Sequence, residues 1–303
     1  MASTHAGLPP LGPPIVRKRP RELEDLLNLF LYHPLAARLA RFLQPTGISP
    51  NAVSVLGMVC IWAAAASYSF LHWPQSALIG LSLHMLWHVV DGADGDLARL
   101  TGKSSPTGEL VDGLCDYAGH ALLYVALAAM ADDRIGLWAW PLALLAAVSH
   151  AVQANHAETQ RRAYLWWAYG VPWLRHARSN GDELFRRRRW FTRIFAWPAR
   201  LYLWAGEAMT PNMAEVDLAL AKAAEDPRRL ALIRRLVRRS SRRSLLLQKA
   251  IGANPRTLIL GACMLLGSPI AFFLVQLVVL NLVLAASIRH HNLVGRRLAE
   301  KIG

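Results

Sequence analysis

Charge is what this 303-residue chain withholds over long stretches. From Phe42 to Val90 there is no Asp, Glu, Lys or Arg in 49 residues, and from Thr257 to Ile288 there is none in 32. A helix needs about 20 apolar residues to cross a hydrocarbon core. Runs of this length exclude an ordinary soluble domain and point to paired membrane spans. Cysteine is scarce as well: Cys60, Cys115 and Cys263 stand singly in apolar or membrane-proximal surroundings, which excludes a disulfide framework and a thiolate zinc site. Met1 to Val16 is rich in Pro and Gly and lacks an apolar h-region. It reads as part of a disordered tail over residues 1–20 and not as a signal peptide.

The apolar residues set the fold class, which is expected to be all-α integral membrane with six transmembrane helices. Phe42 to Val90 holds two, broken near His72-Trp73-Pro74-Gln75. A third fits Asp112 to Ala131 and a fourth Ile135 to Ala157, with a turn at Asp132-Asp133-Arg134. Gly267-Ser268-Pro269 divides the last run into a hairpin of two, because Pro ends a helix and Gly allows the turn. Lys and Arg collect on the cytoplasmic side of short loops. Arg17, Lys18, Arg19, Arg21, Arg38 and Arg41 precede the first span, and Arg289, Arg296, Arg297 and Lys301 follow the sixth. Both termini are therefore expected in the cytoplasm. The Arg and Ala content and the missing signal peptide suit a bacterial inner membrane.

Residues 21–50 read as an N-terminal interfacial amphipathic helix, since Leu23, Leu26, Leu27, Phe30, Leu31, Leu35, Leu39 and Phe42 recur at helical spacing,. Residues 51–160 take the first four spans, and 255–303 take the last two with a basic tail. Between them, 161–254 form a basic cytoplasmic helical insertion. Arg161 to Arg256 carries 21 Lys or Arg against 7 Asp or Glu. Next to membrane spans such a surplus suits anionic lipid headgroups better than nucleic acid. Arg186 to Arg189 and Arg228 to Arg243 look like interfacial basic helices, with Trp166, Trp167, Trp173, Trp190, Trp197 and Trp204 as aromatic anchors.

Against this background, DGADGDLARLTGKSSPTGELVDGLCD, residues 91–116, holds six carboxylates in 26 positions. Asp91 and Asp94 share a face if the second span stays helical to its end, and Asp112 and Asp116 share a face at the start of the third. Four carboxylates near the headgroup region are costly unless something positive sits among them. Hard oxygen ligands suit Mg²⁺ or a similar ion, and four carboxylates can hold two. Mg²⁺ keeps positions open for phosphate oxygens, so a diphosphate is the expected partner. Gly95 and Gly108 let a ligand approach the backbone, and Arg99 can clamp a phosphate. Asp96 and Glu109 read as solvated loop acids. His84 and His88 fall on the Asp91 face, where packing is the plainer role, and His120 lies one turn beyond Asp116.

The order Asp91-x2-Asp94-Gly95-x2-Ala98-Arg99-x8-Gly108-x3-Asp112-x3-Asp116 resembles the signature D-x2-D-G-x2-A-R-x8-G-x3-D-x3-D of the CDP-alcohol phosphotransferases, also called CDP-alcohol phosphatidyltransferases. Pro50-Asn51 resembles the family's entry to its first span. The resemblance implies a phospholipid-synthesis enzyme with two divalent metal ions, Mg²⁺ or Mn²⁺, at the cytoplasmic face. An acceptor hydroxyl attacks the phosphorus attached to the donor's alcohol, and CMP leaves. By the same resemblance Asp91, Asp94, Asp112 and Asp116 would ligate the metals, and Asp116 would be the catalytic base. Gly95, Ala98 and Gly108 would line the CDP pocket, with Arg99 supporting the diphosphate or the acids. The resemblance also implies a homodimer.

The expected donor is CDP-diacylglycerol, with the acceptor left open among glycerol phosphate, serine, an inositol compound and a lipid alcohol. The alternative is a soluble CDP-alcohol with a lipid acceptor. A UbiA-like prenyltransferase keeps its two acidic motifs far apart. A divalent-ion carrier would not call for Gly95, Arg99 and Gly108. CMP release decides against both.

Overall fold

The computed structural model describes residues 20–175 and 190–302, and the regular elements among them are helices. The tail expected over 1–20, but for Pro20, and the Arg186 to Arg189 run lie outside the described residues. Three described helices are long and apolar enough to cross a membrane: Pro50–Phe70, Pro106–Tyr169 and Pro269–Lys301.

In chain order the helices are α1 (His33–Leu43), α2 (Pro50–Phe70), α3 (Gln75–Leu100), α4 (Pro106–Ile135), α5 (Ala139–Tyr169), α6 (Trp190–Met209), α7 (Met213–Ala223), α8 (Pro227–Ser240), α9 (Arg242–Ala250), α10 (Ala253–Leu265), α11 (Pro269–Leu274) and α12 (Leu280–Ile302). A π-helical turn, Val275–Val279, joins the last two. A Ser-Pro pair opens three of them. Ser49, Ser105 and Ser268 each cap a helix by accepting a backbone N–H at 3.1–3.2 Å, with Pro in the first turn, where its missing N–H costs nothing.

The described chain forms two compact units, one from residues 25–153 and 251–282, the other from 20–24, 154–175, 190–250 and 283–302. In the first, α2 packs on α3 and α4, α1 and α10 lie on α3, and α11 lies on α4. Ile61, Leu97, Leu123, Leu127, Phe272 and Phe273 are buried in its core. Close approach matters more than hydrophobicity between helices in lipid. A Cβ on Gly119 of α4 would come within 2.7 Å of Ile61 on α2, so that glycine lets the two helices meet near the acidic stretch. In the second unit α8 buries Leu230, Ile233 and Val237, while Arg228, Arg235, Arg238 and Arg239 stay exposed.

Three local expectations are corrected. Asp132, Asp133 and Arg134 complete the last turn of α4, and the chain turns at Gly136, whose φ of 58° suits glycine,. The 21–50 helix is broken into short 3-10 and π turns and α1. Its buried residues are Leu23, Tyr32, Ala36 and Ala40, with Leu39 packed partly against the core, whereas Leu26, Phe30 and Phe42 are exposed. The physical reason is a close crossing: Ala36 sits against Gly92 of α3, where a large side chain would not fit. Finally, Trp166, Trp167 and Trp173 are buried, and of the expected anchors Trp197 and Trp204 are exposed.

Candidate active site

α3 stays helical through both of its signature aspartates and stops at Gly102. There Lys103 N–H donates to the Ala98 carbonyl at 2.9 Å and Gly102 N–H to Arg99 at 3.4 Å. With Gly102 at φ 68° this is a Schellman stop. Three residues later Ser105 caps α4, so the ends of two helices carry the acids toward each other.

One carboxylate oxygen each from Asp91, Asp112 and Asp116 lies within 4.8 Å of the others, and all three side chains are half-buried. Asp94 is buried and stands behind this trio. It accepts a hydrogen bond from Ser54 Oγ of α2 at 2.5 Å and shares another with Asp112. A bond between two carboxyl groups needs a proton on one of them, a place that a cation can take. The donor set is all hard oxygen, without His or Cys, and suits Mg²⁺ or Mn²⁺. Asp91, Asp112 and Asp116 are the residues that would hold such an ion, with Asp94 next to them.

The other predicted residues surround this cluster. Gly95 and the half-buried Ala98 are on α3, and Arg99 lies along Gly95, 3.5 Å from where a Cβ would stand. Arg99 pairs with Asp96, the acid expected to be merely solvated, and its side chain is 55% exposed. An exposed pair of this kind is worth about 1 kcal/mol or less, so the guanidinium can turn to a phosphate at little cost. Gly108 donates its N–H to Ser105 Oγ at 3.1 Å. A Cβ there would sit 3.8 Å from Asn51 Oδ1, which brings the start of α2 to the same end of the bundle.

Sequence reasoning missed Trp87 and Ser54. Trp87, one turn before Asp91 and buried, donates its indole N–H to Asp116 Oδ1 at 3.0 Å. His120 donates from Nδ1 to the Asp116 carbonyl at 2.8 Å, because a carbonyl can only accept,. His88 bonds Thr257 Oγ1 at 2.9 Å and stacks on Tyr32 with ring centres 4.8 Å apart. Spacing from Asp91 was the available signal for Trp87. Nothing local marks Ser54.

The described residues thus form helices, three of them long and apolar enough to cross a membrane, with a group of carboxylates that could hold a metal ion around the end of α3 and the start of α4. Residues 47–171 match the family described as CDP-alcohol phosphatidyltransferase, so the likeness carried by the signature extends from before α2 to just past α5. Over 104 residues the chain is 32% identical to archaetidylinositol phosphate synthase of Aeropyrum pernix, covering 33% of this chain and 52% of that protein. The chain therefore spans about half the length of this curated relative. No solved structure matches it.

Proposed function

We propose that the protein transfers a phospho-alcohol group from a CDP-alcohol to an acceptor hydroxyl and releases CMP. The observation that carries this reading is the convergence of Asp91, Asp112 and Asp116 within 4.8 Å on the two helices of the signature. The donor is CDP-diacylglycerol or a lipid of the same kind, because the site lies at the ends of membrane-length helices. The relative's name makes a phosphorylated inositol the first acceptor to try. α2, α3, α4, α5, α10 and α11 with α12 are the six spans, with both termini and the site at the cytoplasmic face of an inner membrane. The exposed arginines of α8 and α9 face anionic headgroups.

Bound Mg²⁺ or Mn²⁺ would neutralise charge on the diphosphate and on the departing CMP. Asp91, Asp94, Asp112 and Asp116 supply the oxygen ligands. Gly95, Ala98 and Gly108 give the nucleotide access to the backbone, and Arg99 leaves Asp96 to hold a phosphate. Asp116 takes the proton from the acceptor hydroxyl. That oxygen forms a bond to the phosphorus on the alcohol side of the donor, and the bond from this phosphorus to the CMP oxygen breaks. Trp87 keeps Asp116 aimed by holding Oδ1.

The test is CMP release by the purified protein in detergent, with Mg²⁺ or Mn²⁺, CDP-diacylglycerol and acceptors supplied one at a time. Release should require one acceptor, stop with chelator and fall about 10²- to 10⁴-fold in Asp116→Asn, the range of a lost general base. Release only from a soluble CDP-alcohol with a lipid acceptor would reverse the donor assignment. No release from either arrangement would overturn the reading.

A further inference from the structure

The first unit contains a positive charge that nothing in the transfer reaction uses. Arg256 is 5% exposed and stands in the first turn of α10, the positive end of the helix dipole. Its Nη2 donates to the Ile251 carbonyl at 2.8 Å and to Gln153 Oε1 at 3.4 Å, both neutral acceptors. Nε has no hydrogen-bond partner among the described residues, and no carboxylate pairs with the group there. A buried guanidinium without a counter-charge is among the costlier arrangements in a protein.

Arg256 lines a cavity with His84, His120, His150 and Thr257. His84 is 3% exposed, and neither of its ring nitrogens has a partner among the described residues. A neutral imidazole always carries one N–H, so His84 brings a donor to the cavity that Arg256 also lines. The centre of a water-sized particle has about 10 Å³ to move in there, so the walls leave room for one small particle with some play. A water molecule fits but leaves the charge of Arg256 uncompensated. A cation is repelled by it, and a monatomic anion is the smallest ligand that answers it.

We infer that this cavity binds a single monatomic anion of the size of chloride. The ligand pairs with Arg256 and accepts from His84, with His120, His150 and Thr257 completing the wall. These residues come from α3, α4, α5 and α10, so the anion ties four helices together, with His120 one turn along α4 from Asp116. The site needs no donor, acceptor or turnover. Its test reads stability, so its failure is separable from failure of the transfer reading.

The experiment melts the full chain in detergent at fixed sodium and ionic strength while gluconate is exchanged for chloride. The expected result is a saturable rise in Tm of about 5 °C, the order expected for a ligand well above its Kd. Bromide should reproduce it and inorganic phosphate should not. Arg256→Gln should flatten the chloride dependence, and His84→Phe should move its midpoint at least tenfold higher. If Arg256→Gln does not fold, ³⁵Cl line broadening by the unsubstituted protein decides: broadening displaced by bromide supports the site, and none overturns it. Equal Tm in chloride and gluconate would make the cavity a water site. Phosphate acting in place of chloride would sink the monatomic assignment.

Discussion

The two compact units treat their acidic residues in opposite ways. In the second unit the acids are answered by the protein itself. Glu158 accepts from Arg161 and Arg162 at 2.6 Å, and Asp217 pairs with Arg175 and accepts from Trp167 Nε1 at 2.9 Å. Burial pushes the Asp217 carboxyl up, and Arg175 and Trp167 pull it back part of the way. In the first unit Asp91, Asp94, Asp112 and Asp116 are gathered together. Ser54 Oγ donates to Asp94 and Trp87 Nε1 to Asp116 Oδ1, both neutral donors, and Arg99 pairs with Asp96. Acids consumed by internal cations are structural. Four acids gathered at one place repel one another, and a cation placed among them relieves that repulsion.

That contrast predicts opposite signs for two substitutions. Asp112→Ala should lower CMP release by at least about 10³-fold, since a ligand and its charge are both removed, and should abolish Mn²⁺ binding measured by calorimetry. In chelator the same variant should melt higher than the unsubstituted protein, because a like charge has left the cluster. Asp217→Asn should do the reverse. It removes one of the two carboxylates paired with the half-buried Arg175, which keeps Glu207, and should cost about 2 kcal/mol of stability, with Mn²⁺ binding unchanged below the melting range. If Asp112→Ala lowers Tm as Asp217→Asn does, the cluster is structural and the contrast between the units fails.

The acidic site was legible because its spacing is written within one stretch of chain. Asp91, Asp94, Asp112 and Asp116 need only two helices joined by a short loop, and Gly102 and Ser105 mark where one stops and the next begins. The groups around the site were hidden because their contacts are tertiary. Ser54 meets Asp94 across 40 residues, and Trp87 meets Asp116 across 29. Charge misled at Asp132-Asp133-Arg134, since a last helical turn tolerates three charged residues and Gly136 decides where the chain bends. Leucine spacing was only part of the signal in α1, where Ala36 and Ala40 are fully buried and Leu39 and Leu43 pack only partly. Arg256 counted only as one member of a basic surplus until its burial gave it a different meaning.

A subtler probe keeps every acid in place and removes one neutral donor. Trp87→Phe preserves most of the packing against His84, His88 and His120 and deletes the N–H bond to Asp116 Oδ1. A hydrogen bond to a charged group is worth about 1.5–3 kcal/mol, so kcat should fall about tenfold or somewhat more. Trp87 is a positioning residue, and KM and Mn²⁺ affinity should stay near their original values. A rise in KM with kcat intact would instead place Trp87 in donor binding.

The smallest effect belongs to an acid of the second unit that is paired without a full counter-charge. Glu22 accepts hydrogen bonds from Tyr164, at 3.0 Å, and from Tyr169, and Arg238 stands 5.7 Å from the centre of the Tyr169 ring. Burial pushes the Glu22 carboxyl up, but the Tyr169 and Tyr164 hydrogen bonds and the Arg238 charge outweigh it and hold the group below its usual 4.5. A carboxyl depressed in the folded state stabilises fully above its unfolded value and loses that contribution as pH falls through the folded one. Stability should therefore carry a small acid step below pH 4.5, and Glu22→Gln should lack it. The side chain is exposed, so the step should be far smaller than the loss in Asp217→Asn. Superimposable Tm profiles for the two proteins between pH 6 and pH 3.5 would show that the tyrosines, and not the charge they surround, hold residues 20–24 in this unit.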